Sequence, residues 1–278
     1  MKNCFVVNLK GEKEPFSLAK VFRSAQQSGA SKDLAQKIAI EIERNIYSGI
    51  KTSEIFKQVN QLLKKEDKQS SLRFSLREAM RKLGPSGFPF EKYIDDIFSA
   101  HGYEVSLNRK IKGKFAMHEI DFLARNEKVL YVGECKYRIS PGERIDLAIL
   151  LAFYAKFLDL KNSNYFNLPK SIALLPIMVT NAKFSSQAVR YANGVGIELL
   201  GWKHPLNKGL EYMIEAEQLY PITILPSFKG YLMESCSRAK IMLARDVLAE
   251  SPEQIARIIG IEKNRILPLV NDAKTLLG

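Results

Sequence analysis

The 278-residue chain has little cysteine and no apolar run long enough to cross a membrane. Its three cysteines, Cys4, Cys135 and Cys236, are odd in number and far apart, which predicts neither a disulfide framework nor a zinc site. The apolar stretch at residues 148–157 is shorter than the roughly 20 residues that a membrane span requires. Residues 1–4 do not follow the pattern of a signal peptide, so the sequence predicts a reduced, cytoplasmic setting away from the membrane.

Charge is unevenly balanced, with 42 Lys and Arg residues against 30 Asp and Glu residues. Most of the net charge of +12 lies in residues 1–88, whereas residues 204–278 are balanced. A basic chain favours nucleic acid or nucleotide partners, although many basic proteins have neither. With 46% hydrophobic residues, the chain is also long enough to build more than one core.

Turn signals and hydrophobic periodicity divide the chain into segments. Residues 1–87 predict a small β-hairpin followed by helices, ended by Gly84-Pro85-Ser86-Gly87. Residues 88–203 predict the order αβββαβαβ, which is typical of a mixed sheet flanked by helices. Residues 204–233 predict a linker with a short helix, and residues 234–278 predict an all-α module. The expected fold class is therefore α/β, with several domains.

Two apolar runs in the middle segment carry charged residues at a spacing that would bring them together in a β-hairpin. Asp121 lies in the first run, Glu134 and Lys136 lie in the second, and a short polar turn separates them. Side chains alternate along a strand, so Glu134 and Lys136 share a face, and hairpin closure brings Asp121 next to Glu134. Two carboxylates and a lysine at one point suit a hard divalent cation and hydrolysis of a phosphodiester. The alternative is a pair of charged residues at a strand end with no chemical role.

Four motifs follow one another in this segment: Phe90-Glu91, His118-Glu119-Ile120-Asp121, Glu134-Cys135-Lys136-Tyr137, and Val179-Thr180-Asn181-Ala182-Lys183-Phe184-Ser185. Through their order and spacing the segment resembles the PD-(D/E)XK nuclease superfamily, in particular Mrr-type restriction endonucleases. The resemblance implies that Asp121 and Glu134 hold Mg²⁺ or Mn²⁺ together with the carbonyl of Cys135. It also implies that Lys136 positions or activates water and that Glu91 is an outer carboxylate.

A basic stretch precedes the first acidic strand. A strand is expected at residues 103–107, followed by a loop with four cations and a histidine beyond it. A solvated charge run and contact with phosphate are both compatible with the cations. The histidine is expected to pack or to form a hydrogen bond rather than to contact phosphate. The residues are Arg109, Lys110, Lys112, Lys114 and His118.

The first segment resembles the ATP-cone, a nucleotide-sensing domain, through its opening hairpin and the run Gly49-Ile50-Lys51-Thr52-Ser53-Glu54-Ile55. The resemblance implies that ATP or dATP binds as an effector. The family carries a Lys-Arg pair before the hairpin glycine, whereas this chain has Asn8-Leu9-Lys10, where Lys10 could substitute through a shift of register. A helical bundle that keeps the fold without the ligand is the alternative. The implied ligand contacts are Val6, Lys10, Glu14, Lys20 and Thr52.

In the last segment, Ser251-Pro252-Glu253 predicts the start of a short helix, and Gly260 predicts the turn into the next one. Two short helices joined at a glycine resemble a helix-hairpin-helix module, and the resemblance implies contact with a DNA phosphate without reading of bases. Glu262 occupies the position of the second glycine of that motif. A role in docking or dimerisation therefore stays open.

Together these features lead to one hypothesis and one alternative. The hypothesis is a Mg²⁺-dependent DNA endonuclease that is regulated by ATP or dATP; the resemblances leave homo-oligomerisation open. The alternative is a nucleotide-gated DNA-binding or regulatory protein whose nuclease core is inactive. The retained acid, acid and lysine favour the first.

Overall fold

A computed structural model describes residues 4–84, 88–140 and 142–278, which form two compact units. Unit 1 comprises Met1–Met80, Ile222–Lys229 and Ala244–Gly278, and unit 2 comprises Arg81–Pro221 and Gly230–Leu243. This division differs from the expected sequential one, because residues 244–278 group with the N-terminal unit. The boundary residues Pro85, Ser86 and Gly87 lie outside the described residues.

Unit 1 begins with a small three-stranded sheet. Strand β1 (Phe5–Val7) pairs antiparallel with β2 (Lys13–Pro15), as the expected hairpin requires. Strand β3 (Ile50–Lys51) pairs parallel with β1 on its other side and was not expected. Gly49 leads the chain into β3 with a φ of +92°, which glycine adopts without strain. Its N–H donates to the carbonyl of Phe5 at 2.8 Å, so it helps to align β3 with β1.

The helices of unit 1 pack over this sheet around buried aliphatic side chains, among them Ile38, Ile42 and Leu63. Ser17 caps the first helix, because its side chain accepts from the N–H of Lys20. The last part of this unit's first segment is two short helices that meet at Ser75, whose hydroxyl accepts from the side-chain amide of Asn60 at 3.1 Å. The helices are α1 (Leu18–Gln27), α2 (Lys32–Asn45), α3 (Thr52–Glu66), α4 (Lys68–Phe74) and α5 (Leu76–Arg81).

Unit 2 is built on a five-stranded mixed sheet. Its strands are β4 (Glu104–Lys112), β5 (Met117–Arg125), β6 (Val129–Cys135), β8 (Ala173–Val179) and β10 (Glu198–Leu200), with a separate parallel pair β7 (Arg144–Ile145) and β9 (Lys183–Phe184). The order in the five-stranded sheet is β10-β8-β6-β5-β4. Strand β5 pairs antiparallel with β4 and with β6, whereas β8 pairs parallel with β6 and with β10. The mixed sheet that the sequence predicts is confirmed.

Strand β4 extends well beyond the expected residues 103–107. The extra residues pair with β5, from Arg109 opposite Ile120 to Lys112 opposite Met117. The pairing continues because Ile111 is buried, which anchors this part of the strand to the core. The basic segment is therefore the far half of a β-ribbon and not a loop.

Helices flank the sheet of unit 2. Helix α7 (Leu147–Lys161) is capped by Asp146, whose carboxylate accepts from the N–H of Ile149. One side of this helix is buried through Leu150, Phe153, Phe157 and Leu160. The helices are α6 (Phe88–Ala100), α7 (Leu147–Lys161), α8 (Ser186–Val195), α9 (Leu210–Ala216) and α10 (Met233–Arg238).

The stretch expected to be a linker, residues 204–233, is largely packed into the protein. Leu219 and Tyr220 are buried, and the carbonyl of Leu219 accepts from the hydroxyl of Tyr93 at 2.6 Å. A linker would leave such large apolar side chains in water, at a cost of roughly 1.5–3 kcal/mol each. The sequence predicts a linker here because the segment contains three prolines, at positions 205, 221 and 226, and composition does not show that its apolar residues are buried.

The chain ends in two helices joined at a glycine, as the sequence predicts. Helix α11 (Pro252–Ile259) starts with a capping box between Ser251 and Gln254, and Gly260 takes a φ of +78° before α12 (Lys263–Leu277). Helix α12 packs against α4, where Gln69 donates to the carbonyl of Leu276 at 2.9 Å. These helices therefore complete the core of unit 1 and do not form a separate module.

Candidate active site

Strands β5 and β6 bring Asp121 and Glu134 together. Phe122 pairs with Gly133, so the next residues in that register, Asp121 and Glu134, stand opposite each other. The carboxylate of Asp121 also accepts from the backbone N–H of Cys135 at 2.7 Å. The convergence of Asp121 and Glu134 that the sequence predicts is present.

Gly133 makes this arrangement sterically accessible. A Cβ atom at position 133 would lie 2.2 Å from the ring of Phe122, so only glycine fits at this position. The ring of Phe122 is buried and packs at 5.2 Å from that of Phe98 on α6. The register of β5 and β6 is therefore tied to the core directly beside the two acids.

Glu134 is buried to 7% exposure and is held by two lysines. The ammonium of Lys136 donates to one carboxylate oxygen at 2.5 Å, and that of Lys156 on α7 donates to the other at 2.7 Å. Lys156 also donates to the carbonyl of Glu119 at 3.0 Å. A buried carboxylate is tolerated only when it is paired in this way.

Lys136 is fixed through its backbone by the motif at the end of β8. Its N–H donates to the carbonyl of Val179 at 2.8 Å, and its carbonyl accepts from the buried hydroxyl of Thr180 at 2.6 Å. Asn181 then binds both backbone groups of Arg138 at 2.8 Å. Thr180 and Asn181 therefore hold the chain in place where it leaves the sheet.

Burial, followed by repulsion from neighbouring carboxylates, raises the pKa values of Glu91 and Asp121. Burial, followed by the charges of Asp121, Glu119 and Glu134, raises the pKa of Glu91 on α6 to about 7. Burial and the charge of Glu134 likewise raise the pKa of Asp121, although the N–H of Cys135 opposes them. The position of Glu91 as an outer carboxylate is thus consistent with its electrostatic coupling to the pair.

Lys136 is a charged donor in this environment. Burial lowers its pKa, but the hydrogen bond to Glu134 and the charges of Glu134 and Asp121 outweigh burial, so the pKa of Lys136 is raised. Cys135 differs, because burial raises the pKa of its thiol well above the ordinary value. Cys135 could therefore serve a cation through its backbone carbonyl but not through a thiolate.

The donors available to a metal ion are oxygens only. Among the described residues, no group of three or more His, Cys, Asp and Glu side chains could hold a metal ion. Asp121, Glu134 and the carbonyl of Cys135 fit Mg²⁺ or Mn²⁺ nevertheless, because Mg²⁺ is commonly bound by one or two carboxylates while water and substrate phosphate complete its shell. A bound cation would also relieve the repulsion that raises the pKa of Asp121 and Glu91.

A second charged cluster lies at the far end of β4 and β5. The carboxylate of Asp159 on α7 accepts from His118 Nε2 at 2.7 Å and from the N–H groups of Phe115 and Ala116 at 3.0 and 3.2 Å. His118 is therefore the hydrogen-bonded residue that the sequence favours. Lys110, Lys112 and Lys114 are exposed along the same ribbon.

Four of the five expected nucleotide contacts line one cavity of about 220 Å³ in unit 1. At this cavity, the ammonium of Lys20 and the carboxylate of Glu14 lie 3.5 Å apart. Lys10 is not among the lining residues, because the side chain of Asn8 closes the hairpin turn by accepting from the N–H groups of Lys10 and Glu12. The four lining contacts are Val6, Glu14, Lys20 and Thr52.

The sequence does not predict the roles of Lys156 and Asp159. Both lie on a helix that reads as almost wholly apolar, where a charged residue is costly unless it has a partner. They are three residues apart and so face similar directions. The only signal in the sequence that points to these two residues is that they are isolated charges in a largely apolar helix.

No family model matches the chain. A protein from Archaeoglobus fulgidus, described as uncharacterized, is 34% identical over 182 residues, which cover 66% of this chain and 98% of the relative. The crystal structure of a protein of unknown function, AF1548, aligns with a TM-score of 0.61 at 30% identity over 69% of this chain and 99% of that chain. A structure of the MspJI restriction endonuclease with a 27-mer oligonucleotide aligns with a TM-score of 0.33 at 10% identity, over 76% of this chain and 44% of that one, which is too distant to support an argument.

The fold and the site define a mixed α/β protein of more than one compact unit, with a buried acid, a half-buried acid opposite it and two lysines. Within the described residues, no helix is long and apolar enough to cross a membrane. The chain belongs to the same family as the uncharacterized A. fulgidus protein, which it matches over nearly that protein's full length.

Proposed function

We propose that unit 2 hydrolyses phosphodiester bonds of DNA with the help of Mg²⁺ or Mn²⁺. The observation that carries the proposal is the position of Asp121 opposite Glu134, with the ammonium of Lys136 at 2.5 Å from Glu134. A domain that only binds DNA has no need for two adjacent carboxylates, since they repel phosphate. Their retention beside lysines favours chemistry over binding.

Each residue has a distinct role in this proposal. Asp121 and Glu134, with the Cys135 carbonyl, would hold the cation, which when bound supplies positive charge to the scissile phosphate and lowers the pKa of the attacking water. Lys136 stays protonated, so it would orient water and donate to phosphate oxygen rather than act as a base. Lys156 would keep the Glu134 carboxylate in place, and Glu91 would adjust the charge of the site.

The proposal predicts cation-dependent cleavage. Supercoiled, linear, branched and methylated DNA would be incubated with the full chain in EDTA, Mg²⁺ or Mn²⁺. We expect at least one substrate to be cut in the presence of a divalent cation and none in EDTA. Binding without cleavage under every condition would support the alternative, a DNA-binding protein with an inactive core.

We also propose that unit 1 binds ATP or dATP in the cavity lined by Val6, Glu14, Lys20 and Thr52. Three features support this. The apolar wall, which includes Phe16, Val21 and Phe56, suits a base. Lys20 offers a cation, and Thr52 opens α3, whose N-terminal N–H groups favour an anion. The sequence has no phosphate-binding loop of the Walker type, so binding without hydrolysis is expected.

Calorimetry with ATP and dATP tests this second proposal. We expect binding without release of phosphate, and Lys20→Ala should weaken the affinity about tenfold, as the loss of a charge-assisted hydrogen bond does. Lys13→Ala is the control, because Lys13 stacks on Phe5 at 4.8 Å and does not line the cavity. No binding at millimolar nucleotide would mean that the cavity is only a structural feature.

A further inference from the structure

We infer that the distal β4–β5 ribbon, residues 109–117, contacts the DNA substrate by inserting Phe115 against a base. The inference rests on the proposed function and extends it from the reaction to the recognition of the substrate. Phe115 is 84% exposed at the tip of the ribbon, and Met117 beside it is 64% exposed. Two large apolar side chains so exposed at one tip point to a partner.

The ribbon projects beyond the rest of the sheet. Strand β5 pairs with β6 only from Phe122 to Arg125, so residues Met117–Ile120 pair with β4 alone. One side of this two-stranded ribbon is anchored through the buried Ile111. The opposite side carries Lys110, Lys112 and Met117 in cross-strand pairs, so cations flank an apolar residue.

The exposed tip is also held rigidly. The carboxylate of Asp159 accepts from two consecutive N–H groups of the turn, and the backbone carbonyl of Asp159 accepts from Lys114 at 3.1 Å. Gly113 permits this approach, because a Cβ atom there would lie 2.0 Å from the Asp159 carboxylate. These hydrogen bonds hold the backbone of the turn at Phe115, which reduces the entropy cost of inserting the ring.

The charge around the tip favours nucleic acid. Lys114 lies over the ring of Phe115 at 5.1 Å, and Lys112 is its exposed neighbour across Gly113. Glu119 stands opposite Lys110 and offsets that lysine, so Arg109, Lys112 and Lys114 carry the excess positive charge. Phosphate contacts by lysine, together with an apolar side chain wedged against a base, are the means by which many proteins hold distorted DNA.

The ribbon also sets the distance between the base that Phe115 contacts and the bond that is cleaved. Four strand residues from Met117 to Asp121 span about 13 Å, and Phe115 lies two turn residues beyond them, so Phe115 and Asp121 are at most about 20 Å apart. Since successive nucleotides of one strand rise by about 3.4 Å, the contacted base would lie within about six nucleotides of the cleaved bond. A mismatch or flexible step at that distance would lower the cost of unstacking and so favour binding.

Binding in EDTA tests the inference without depending on cleavage. The probes are a duplex of about two helical turns and the same duplex with one mismatch, each with 2-aminopurine beside the mismatch position. Phe115→Ala should weaken binding to the mismatched duplex about tenfold and abolish the fluorescence change, because one base–aromatic stack is lost. Phe115→Trp should restore both. Tyr212→Ala, which removes another exposed aromatic residue of unit 2, should change neither.

A salt titration gives a second readout. Lys112→Ala should reduce the slope of log affinity against log salt by about one, whereas Lys170→Ala should leave the slope unchanged. Equal binding by Phe115→Ala and wild type to both duplexes would overturn the inference, even if the protein cuts DNA. Preference for single-stranded RNA over the mismatched duplex would also overturn it. Loss of binding in Phe115→Ala by a protein that cuts no DNA would instead contradict the proposed function and leave the ribbon contact standing.

Discussion

Glu91 is an acid whose protonation depends on the site. Burial and the neighbouring carboxylates raise its pKa from 4.5 to about 7. An acid with a raised pKa in the folded state binds a proton that the unfolded chain has already released. The free energy of unfolding therefore falls as pH rises from about 4.5 to 7, and then stays constant with respect to this group.

Replacing this carboxyl should remove the pH dependence. In EDTA, Glu91→Gln should be more stable than wild type at pH 8, on the order of 1 kcal/mol after allowance for the partial exposure of Glu91. The difference should vanish near pH 4.5. Denaturant unfolding at several pH values measures it, with Glu104→Gln on the exposed start of β4 as the control. A Glu91→Gln variant less stable than wild type at pH 8 would mean that the ionised carboxylate is stabilised there.

Lys156 shows what the sequence alone does not reveal at this scale. Asp121, Glu134 and Lys136 were identified because strand alternation and hairpin closure are local rules. Lys156 lies 22 residues beyond Glu134 in the sequence and approaches it from α7, at an angle that packing of α7 on the sheet determines. Periodicity places such a residue on a helix but does not identify its partner.

Strand β6 is the element that links packing to the site. Gly133 leaves room for the ring of Phe122, and the next residue is Glu134. Gly133→Ala should therefore lower the free energy of unfolding by about 1–3 kcal/mol, the usual cost of overpacking a core. It should also reduce any cleavage, because Asp121 and Glu134 would shift relative to each other.

Gly194→Ala is the matched control for Gly133→Ala. Gly194 lies in helix α8 with no atom within 4 Å of the position of an added Cβ atom, so alanine should be neutral or slightly stabilising there. Thermal unfolding of both variants separates the steric effect from the loss of a glycine. A Gly133→Ala variant that unfolds with the wild-type midpoint would show that the ring of Phe122 moves away freely.

The elements themselves were largely predictable, whereas their ends depended on pairing and packing. Helix caps such as Ser17 and Ser251 mark their helices in the sequence because the capping contact is local. The extension of β4 to Lys112 was not predictable, since it depends on burial of Ile111 under α7. Likewise, the pairing of β3 with β1 joins residues far apart in the sequence.

At the scale of the whole molecule, the chain order does not match the compact units. The sequence predicts consecutive domains, but residues 222–229 and 244–278 belong with the N-terminal unit. The buried residues Ile266, Leu269 and Leu276 on α12 give the reason, because an amphipathic helix joins the unit that covers its apolar side. Periodicity identifies that apolar side but not its partner.

The central claim is that Asp121, Glu134 and Lys136 form a hydrolytic site, and one measurement tests it most directly. The rate of DNA cleavage in Mg²⁺ would be compared for wild type, Glu134→Gln and the control Glu127→Gln, which changes an exposed acid in the β5–β6 turn. The account predicts that Glu134→Gln loses cleavage by orders of magnitude, retains DNA binding and folding, and that Glu127→Gln cuts like wild type. Cleavage by Glu134→Gln at the wild-type rate would contradict the account.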